Sequence, residues 1–491
     1  MPLNLHYYNY VEIMPTNKYY SEMIPTLSER ACNGALSLFG FRNNALRAYL
    51  KHSFLQPLGR QGNFIGDPTF EAVFGWKTAE KRIEALKGDL LHPKLIEALD
   101  DEKSEVKKEF FPYIHQLTAW NILHQEDPQS AIISSGTGSG KTECFMIPIL
   151  NHLIREWDET IEEKDKQLTG VRTLFLYPLN ALINSQRERL LTWTKPFGGH
   201  IRFALYNGLT PERLPASYIK EHPSEVMDRE TLRSSPPPIL VTNPTMLEYM
   251  LVRNIDKPII EQSYGKLDTI VMDEAHTYIG SQAAEMALLL RRVLYAFGRT
   301  PDQVRFIATS ATIGDKGEEA RKQLKDFMQD LSGVKERKIH VIEGHRDIPS
   351  IPYTEPRSYT LQELQAIVSP ELLYDHLCSD STALKIRAAF TEDPQTVATL
   401  SKVCSVLFPG VTDFQENQQV EALEWLDVLT SAINHSGQAF LPVRAHIFQN
   451  TFAGLWACID TDCAHKHPLL KKPEWNFGNV HMQKRSKCDC G

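Results

Sequence analysis

A glycine- and serine-rich segment constrains the fold of this chain more than any other feature. It reads S-S-G-T-G-S-G-K-T from Ser134 to Thr142 and follows the β-branched Ile132 and Ile133. Its glycines allow the backbone to curl so that successive N–H groups point inward, beside the positive end of the following helix. An apolar strand, a glycine-rich loop and a helix that opens with Lys-Thr make up a phosphate-binding loop. The segment therefore predicts a nucleoside triphosphate site.

The residues of this loop have separate predicted roles in an ATP site. Lys141 should reach the β and γ phosphates, and the hydroxyl of Thr142 should hold Mg²⁺. The general pattern starts with a glycine where this chain has Ser135. The predicted ATP-binding residues of the loop are Ser135, Gly136, Thr137, Gly138, Ser139, Gly140, Lys141 and Thr142.

Gln116 is a further candidate contact for the nucleotide. It lies in the segment F-F-P-Y-I-H-Q-L-T-A-W, upstream of the strand that leads to the loop. A glutamine side chain offers one acceptor and two donors, which match the adenine edge bidentately. Because glutamine on a helix is usually solvated, the prediction depends on this placement.

Strand-then-helix units follow the loop. Their apolar strands lie in segments 171–177, 202–208, 238–247, 269–276 and 305–313. Repeated units of this kind predict a parallel α/β sheet whose functional loops lie at the carboxyl ends of the strands.

Two motifs at predicted strand ends complete the candidate catalytic set. Asp273 is predicted to hold the Mg²⁺ shell, and Glu274 to orient and polarise the attacking water. His276 could connect this site to the next motif through a hydrogen bond. Ser310 and Thr312 close the adjacent strand in S-A-T, and we expect their hydroxyls to bridge toward the Asp-Glu pair.

Composition limits the possible partners. The 491 residues are 42% apolar, which is enough for buried cores. Their formal charge of −8 gives no overall attraction to nucleic acid, so a nucleic-acid contact must come from a local track of residues. There is no run of about eighteen apolar residues and no signal-like N-terminus, so we expect a cytoplasmic protein without membrane contact. Eight sparse cysteines fit a reducing compartment.

Two close cysteine pairs near the end of the sequence predict a structural zinc site. Four thiolates can hold Zn²⁺ tetrahedrally and leave no position for a hydrolytic water. The spacing is looser than that of two C-x-x-C pairs, so unligated reduced cysteines are the alternative. His465 or His467 could also replace a cysteine. The predicted ligands are Cys458, Cys463, Cys488 and Cys490.

The motif series resembles the first RecA-like domain of a superfamily 2 helicase. The residues that carry the resemblance are Gln116, S-G-T-G-S-G-K-T, Y-P-L-N-A-L-I-N-S-Q, T-N-P-T-M-L, D-E-A-H and T-S-A-T, within residues 110–345. The segments D-E-A-H-T-Y-I-G-S-Q-A-A-E-M and Y-N-G-L-T-P resemble the branch of MrfA-type DNA repair helicases and the large helicases of the anti-phage systems Druantia and DISARM. The resemblance implies a RecA-like parallel sheet and an ATP-driven motor.

The resemblance also implies a nucleic-acid track at two strand ends. Strand-end loops with free N–H groups, an amide and a hydroxyl can hold phosphates without reading bases. Asn180 stands where relatives commonly have arginine, which weakens one phosphate contact. Arg187 and Arg189 nearby could compensate, although arginines on a helix surface are as often solvated. The implied contacts to the sugar-phosphate backbone are Pro178, Asn180, Leu182, Thr242, Asn243 and Pro244.

Four regions are predicted along the chain. They are an α-rich accessory region (1–105), a RecA-like ATP-binding domain (106–345), a linker with a helical insertion (346–440) and a zinc module (441–491), which we expect to be truncated because it ends in C-D-C-G.

The expected function is that of the N-terminal motor half of an ATP-dependent DNA helicase or translocase, in anti-phage defence or DNA repair. Expected partners are single-stranded or partly duplex DNA, a second RecA-like domain downstream or in trans, and other subunits of a defence system. The alternative is an adaptor that binds ATP and nucleic acid but hydrolyses little without a second domain. An RNA substrate remains open because backbone contacts separate the two sugars poorly.

Overall fold

The computed structural model describes most of the chain. The described residues are 19–60, 62–100, 106–136, 138–160, 167–178, 183–184, 186–278, 280–310, 318–391, 397–452 and 454–490.

The α-helices within these ranges are α1 (Tyr19–Leu38), α2 (Asn44–Phe54), α3 (Pro93–Leu99), α4 (Ile114–Leu123), α5 (Lys141–Thr160), α6 (Arg187–Thr194), α7 (Ala216–Glu221), α8 (Arg229–Ser234), α9 (Pro244–Val252), α10 (Lys257–Ser263), α11 (Ser281–Ala296), α12 (Glu318–Ser332), α13 (Leu361–Gln365), α14 (Pro370–Leu377), α15 (Ser381–Thr391), α16 (Leu400–Leu407) and α17 (Glu416–Ser431).

The strands are β1 (Thr69–Ala72), β2 (Ser130–Ser134), β3 (Thr173–Leu176), β4 (Phe203–Tyr206), β5 (Glu225–Val226), β6 (Ile239–Thr242), β7 (Thr269–Met272), β8 (Arg305–Ser310), β9 (Ile339–Glu343), β10 (Val397–Thr399), β11 (Val443–His446), β12 (Trp456–Ala457) and β13 (Val480–His481).

The chain forms two compact units. One comprises Trp76–Asp347, and the other combines Met1–Gly75 with Ile348–Gly491. The first unit contains the phosphate-binding loop, and the second contains the four clustered cysteines.

An eight-stranded parallel sheet organises the unit Trp76–Asp347. Its strand order is β5-β4-β6-β3-β7-β8-β2-β9, and every neighbouring pair is parallel. Helices cover both faces, so strands such as β3, T-L-F-L, are buried along their whole length. The predicted parallel α/β sheet is confirmed.

Alternation along the strands separates two apolar cores, one on each face of this sheet. In β3, Phe175 packs into the core that contains Trp120 of α4 and Phe145 of α5. Its neighbours Leu174 and Leu176 pack into the opposite core, with residues of α11 and α12. Successive side chains of a strand point to opposite faces, so one short apolar run contributes to both cores.

The strand order brings three predicted motifs to one edge of the sheet. Strand β8 lies between β7 and β2, with Met272 opposite Ala308 and Ser134 opposite Ser310. Because parallel strands end at the same edge, the loop after β2, Asp273 after β7 and the end of β8 are neighbours there.

The second unit joins distant parts of the sequence. Strand β1 lies between β10 and β11 in an antiparallel sheet, with Phe70 opposite both Ala398 and Ala445. The Asp427 carboxylate of α17 accepts hydrogen bonds from the backbone N–H groups of Tyr20 and Ser21 at the start of α1. These N–H groups have no partner within their own helix, so α17 satisfies them.

No helix in the described part of the chain combines the length and apolar character that a membrane span requires.

Candidate functional site

The phosphate-binding loop connects β2 to α5 and is closed by its own side chains. Gly138 and Gly140 have φ values of +70° and +68°, which disfavour any side chain with a Cβ. The hydroxyls of Ser135 and Ser139 lie 2.6 Å apart, and both residues are buried. Ser135 therefore occupies the first position of the pattern by forming a hydrogen bond across the loop.

Helix α4 holds this loop through three side chains. Gln116 accepts a hydrogen bond from the Tyr113 N–H (2.9 Å) and donates one to the Gly140 carbonyl (3.3 Å). The Nε2 atom of His115 lies 2.7 Å from the Ser139 carbonyl, and Trp120 Nε1 donates to the Glu143 carbonyl (2.9 Å). Burial lowers the pKa of His115.

His115 was not among the predicted site residues. Since a carbonyl oxygen only accepts, Nε2 is the protonated nitrogen in this contact. Its position beside Gln116 in the H-Q pair was the available signal, because side chains at the start of α4 reach the loop that follows β2.

A cavity of about 670 Å³ opens beside the loop and α4. Its volume lies within the usual range of small-molecule sites. Gln116 faces it together with the loop and with a group of aromatic side chains. Its lining includes Phe110, Phe111, Tyr113, Gln116, Lys141 and Thr142. A pocket lined by hydrogen-bond donors and by aromatic rings fits a nucleotide.

Lys141 lies close to the acidic pair at the end of β7. Burial is the main cause that lowers the pKa of Lys141, and the carboxylates of Glu274 and Asp273 act in the opposite direction. Lys141 and Thr142 begin α5, whereas Asp273 follows β7, so the sheet joins parts of one site that are far apart in sequence. A cation, a hydroxyl and two carboxylates fit a triphosphate with Mg²⁺.

Glu274 adopts an unusual backbone conformation. Among the described residues it is the one non-glycine residue with a positive φ, +51°. A left-handed conformation costs such a residue about 1–2 kcal/mol, and strained residues of this kind cluster at functional sites. The His276 Nδ1 atom lies 3.3 Å from the Glu274 carboxylate. His276 therefore contacts the carboxylate that is predicted to orient the attacking water.

Thr309 connects the acidic pair to β8 and was missed by sequence reasoning. Its hydroxyl donates to the Asp273 carboxylate and accepts a hydrogen bond from the Glu274 N–H (3.2 Å). Thr309 lies one residue beyond Ala308, which pairs with Met272, so it faces the residue after β7. The parallel register was the signal that could have identified it.

Some predicted site residues lie outside the described part of the chain. The predicted bridges to the acidic pair were Ser310 and Thr312. Ser310 ends β8, but its side chain and all of Thr312 lie outside the described residues. Thr137 of the phosphate-binding loop also lies outside them.

The residues implied to contact nucleic acid follow β3 and β6. Pro178 comes just after β3, while Asn180 and Leu182 lie outside the described residues. The buried Thr242 donates its hydroxyl proton to the Tyr206 carbonyl (2.6 Å). Asn243 caps α9, with its side chain accepting from the Met246 N–H (2.7 Å), and Pro244 opens that helix. These two strand ends are neighbours, since β3 pairs with β6.

The four predicted zinc ligands converge. Their sulfur atoms all lie within 4.8 Å of one another. The Cys458–Cys490 and Cys463–Cys488 sulfur pairs are 3.5 and 3.7 Å apart. Zn–S bonds of about 2.3 Å in a tetrahedron place sulfur atoms about 3.8 Å apart, whereas a disulfide would bring them to about 2.0 Å. The cluster therefore fits zinc.

Gly478 allows this convergence. A Cβ at this position would lie 2.6 Å from the Cβ of Cys463 and 2.9 Å from that of Cys458. The backbone of Gly478 also donates to the Cys458 carbonyl (2.8 Å). A hydrogen bond with the backbone of Asn479 is the main cause that lowers the pKa of Cys463, which favours its thiolate form. The hydrogen bond with Cys458 raises the pKa of Cys490.

The parallel sheet, the phosphate-binding loop after β2 and the acidic pair after β7 together define a P-loop nucleoside triphosphatase domain. Residues 113–320 match the DEAD/DEAH box helicase family.

Curated relatives are longer proteins. The chain is 26% identical to the Druantia protein DruE of Escherichia coli (strain UMEA 4076-1), over 77% of this chain and 27% of that protein. It is 28% identical to the uncharacterized ATP-dependent helicase YprA of Bacillus subtilis (strain 168), over 51% of this chain and 30% of that protein. The chain thus spans less than a third of the length of either relative.

Among solved structures, the crystal structure of the helicase MrfA bound to DNA is similar over 56% of this chain and 32% of that chain, with 21% identity and a TM-score of 0.38.

Proposed function

We propose that this chain is the N-terminal motor part of an ATP-dependent DNA helicase or translocase that acts in anti-phage defence or DNA repair. The main support is that the phosphate-binding loop after β2 and the acidic pair after β7 share one edge of the sheet, where Lys141 interacts electrostatically with Glu274 and Asp273. Phosphoryl transfer needs this combination, because its catalysis consists mostly of positioning and charge stabilisation.

The side chains of the site have distinct proposed tasks. Bound Mg²⁺·ATP supplies the phosphoanhydride bond that is hydrolysed and a metal ion that neutralises phosphate charge. Lys141 and the loop N–H groups bind the phosphates, and oxygen atoms of Thr142 and Asp273 hold the metal. Glu274 orients the attacking water. Gln116 donates a hydrogen bond to the Gly140 carbonyl in this structure. It selects adenine when its side-chain amide breaks this bond and forms hydrogen bonds with the base instead.

The nucleic-acid track is proposed at the ends of β3 and β6. Pro178, Asn180 and Leu182 supply one side of it, and Thr242, Asn243 and Pro244 supply the other. Support comes from the adjacency of β3 and β6, which places both segments on one edge of the sheet. Contacts to sugar and phosphate alone permit movement along DNA of any sequence.

The proposed motor requires a second RecA-like domain. The described residues contain one parallel sheet with one phosphate-binding loop, and relatives such as DruE extend well beyond the matched region. The same observation favours the alternative, in which this chain by itself binds ATP and nucleic acid with little hydrolysis. Other defence-system subunits are a further proposed class of partner. We also propose that the four cysteines hold a structural Zn²⁺.

The test of the proposed function is ATP hydrolysis by the full-length protein, with and without single-stranded DNA. We expect DNA to stimulate hydrolysis and an RNA strand of the same sequence to compete poorly with it. Unstimulated hydrolysis would contradict a nucleic-acid motor, and better competition by RNA would reassign the substrate. If residues 1–491 alone turn over ATP at a motor rate, roughly 1–100 per second, the adaptor alternative fails.

We predict that Thr309→Val will lower DNA-stimulated ATP hydrolysis roughly tenfold, because it removes a hydrogen bond to the charged Asp273 and the acceptor for the Glu274 N–H. Valine has nearly the same shape, so thermal unfolding should change little by comparison. The matched control, Thr309→Ser, retains the hydroxyl and should hydrolyse ATP at close to the normal rate. Equal rates for all three proteins would exclude a role for this hydroxyl.

A further inference from the structure

Arg189 of α6 makes direct contacts with the start of α5. Its Nη1 atom donates to the Thr142 hydroxyl (2.9 Å), and its Nη2 atom lies 2.5 Å from the Glu143 carboxylate. The Glu143 side chain is 6% exposed and that of Arg189 is 35% exposed. The guanidinium is thus partly buried and forms a hydrogen bond with Thr142, the residue proposed to hold Mg²⁺.

The position of Arg189 is set by the packing of its helix. Leu190 and Trp193 of α6 are buried in the core beneath the sheet. Arg187, two residues earlier in the same helix, forms a bidentate ion pair with the buried Glu225 carboxylate of β5, at 2.7 to 3.0 Å. These contacts anchor α6 against the sheet, and the Arg189 side chain reaches Thr142 from this helix.

A Mg²⁺ ion held by Thr142 would bind the oxygen atom that accepts the hydrogen bond from Arg189. A magnesium ligand lies about 2.1 Å from the ion. With the guanidinium nitrogen at 2.9 Å from the Thr142 hydroxyl, a cation bound to that oxygen would lie within a few ångströms of a second cation. Like charges repel strongly in a partly buried site, where solvent screening is weak.

We propose that Arg189 is a positioning residue that holds the Thr142 hydroxyl away from Mg²⁺ in the nucleotide-free domain and must release it when Mg²⁺·ATP binds. The inference rests on the proposed function, because it assumes that Thr142 is a metal ligand. Glu143 serves as the second anchor and keeps the guanidinium oriented. Binding of the metal-nucleotide complex therefore includes the cost of breaking the Arg189–Thr142 hydrogen bond.

The test measures binding of a non-hydrolysable ATP analogue by the full-length protein as a function of Mg²⁺ concentration. In Arg189→Gln, the Mg²⁺ concentration for half-maximal binding should fall roughly three- to tenfold, the scale of one partly exposed hydrogen bond to a charged group. Binding of the analogue in EDTA should stay unchanged. A purely structural role of Arg189 would weaken binding with and without the metal alike.

Two further variants complete the test. Lys195→Gln removes a positive charge from the exposed C-cap of α6, and its Mg²⁺ requirement should equal that of the wild type. Arg189→Lys keeps the charge but lacks the planar guanidinium, so its Mg²⁺ concentration for half-maximal binding should decrease less than that of Arg189→Gln. The lysine variant also replaces the glutamine variant in the test if the latter does not fold.

An unchanged or increased Mg²⁺ requirement in the Arg189 variants would overturn the inference. This outcome leaves the proposed function intact as long as the wild-type protein binds the analogue with Mg²⁺ and Lys141→Ala does not. Failure of the wild-type protein to bind the analogue would instead remove the proposed function.

Discussion

Replacing Lys141 with alanine should abolish ATP hydrolysis by the full-length protein, with a loss of roughly a hundredfold or more. The lysine would donate hydrogen bonds to charged phosphates, each worth about 1.5–3 kcal/mol. Its removal also leaves Asp273 and Glu274 beside the bound phosphates without the ammonium that compensates their charge. Stimulated ATP turnover and binding of an ATP analogue, measured on the same protein preparation, are the appropriate measurements.

Glu274→Gln is the matched comparison for this prediction. The amide has nearly the size of the carboxylate but cannot polarise a water as a base. We expect Glu274→Gln to bind the analogue at close to wild-type affinity while losing most hydrolysis, whereas Lys141→Ala loses both. If Lys141→Ala hydrolysed ATP at the wild-type rate, the phosphate-binding loop would not be the catalytic ATP site.

Removing zinc should unfold the segment that carries the four cysteines. Strands β12 and β13 have two residues each, so beyond the packing of Leu470 and Val480 in an apolar cluster this segment has little regular structure to support it. Structural zinc contributes about 10–16 kcal/mol of apparent binding energy in small zinc peptides at neutral pH. Cys463→Ser, which changes a buried ligand, or treatment with a strong chelator should therefore cause local unfolding.

The measurements for this second prediction are zinc content per chain and the rate of proteolysis within residues 456–490. The wild-type protein should contain one zinc ion per cluster and become protease-sensitive after chelation. Cys378→Ala changes a buried thiol outside the cluster and should retain zinc. A purified protein without zinc, with the same protease resistance before and after chelation, would favour the alternative of unligated reduced cysteines.

Several elements of this site could be predicted from local sequence. The apolar pair Ile132–Ile133, the glycines and Lys141 identified the strand, the loop and the helix start, because these features depend on backbone conformation within a few residues. Parallel pairing followed from the repeated strand-then-helix order. The expected convergence of the four cysteines is also present in the structure.

Other residues could not be predicted because their contacts depend on register and helix packing. Thr309 faces Asp273 only because β7 and β8 pair in one register, and a shift of one residue would point its hydroxyl to the other face. His115 contacts Ser139 only through the packing of α4 beside the loop. Gly478 belongs to no recognisable sequence motif. Its importance is visible only in the structure, where a Cβ at this position would collide with Cys458 and Cys463.

The sequence by itself determined the phosphate-binding loop, the acidic pair and the class of fold, since each depends on residues adjacent in the chain. Only the tertiary structure decided the placement of Arg189 on Thr142, because the packing of α6 sets where a long side chain can reach. The tertiary structure also decided that β1 pairs with β10 and β11, more than three hundred residues later in sequence. No turn sequence joins strands so far apart, so their pairing depends on edge hydrogen bonds and buried faces that form only in the folded chain.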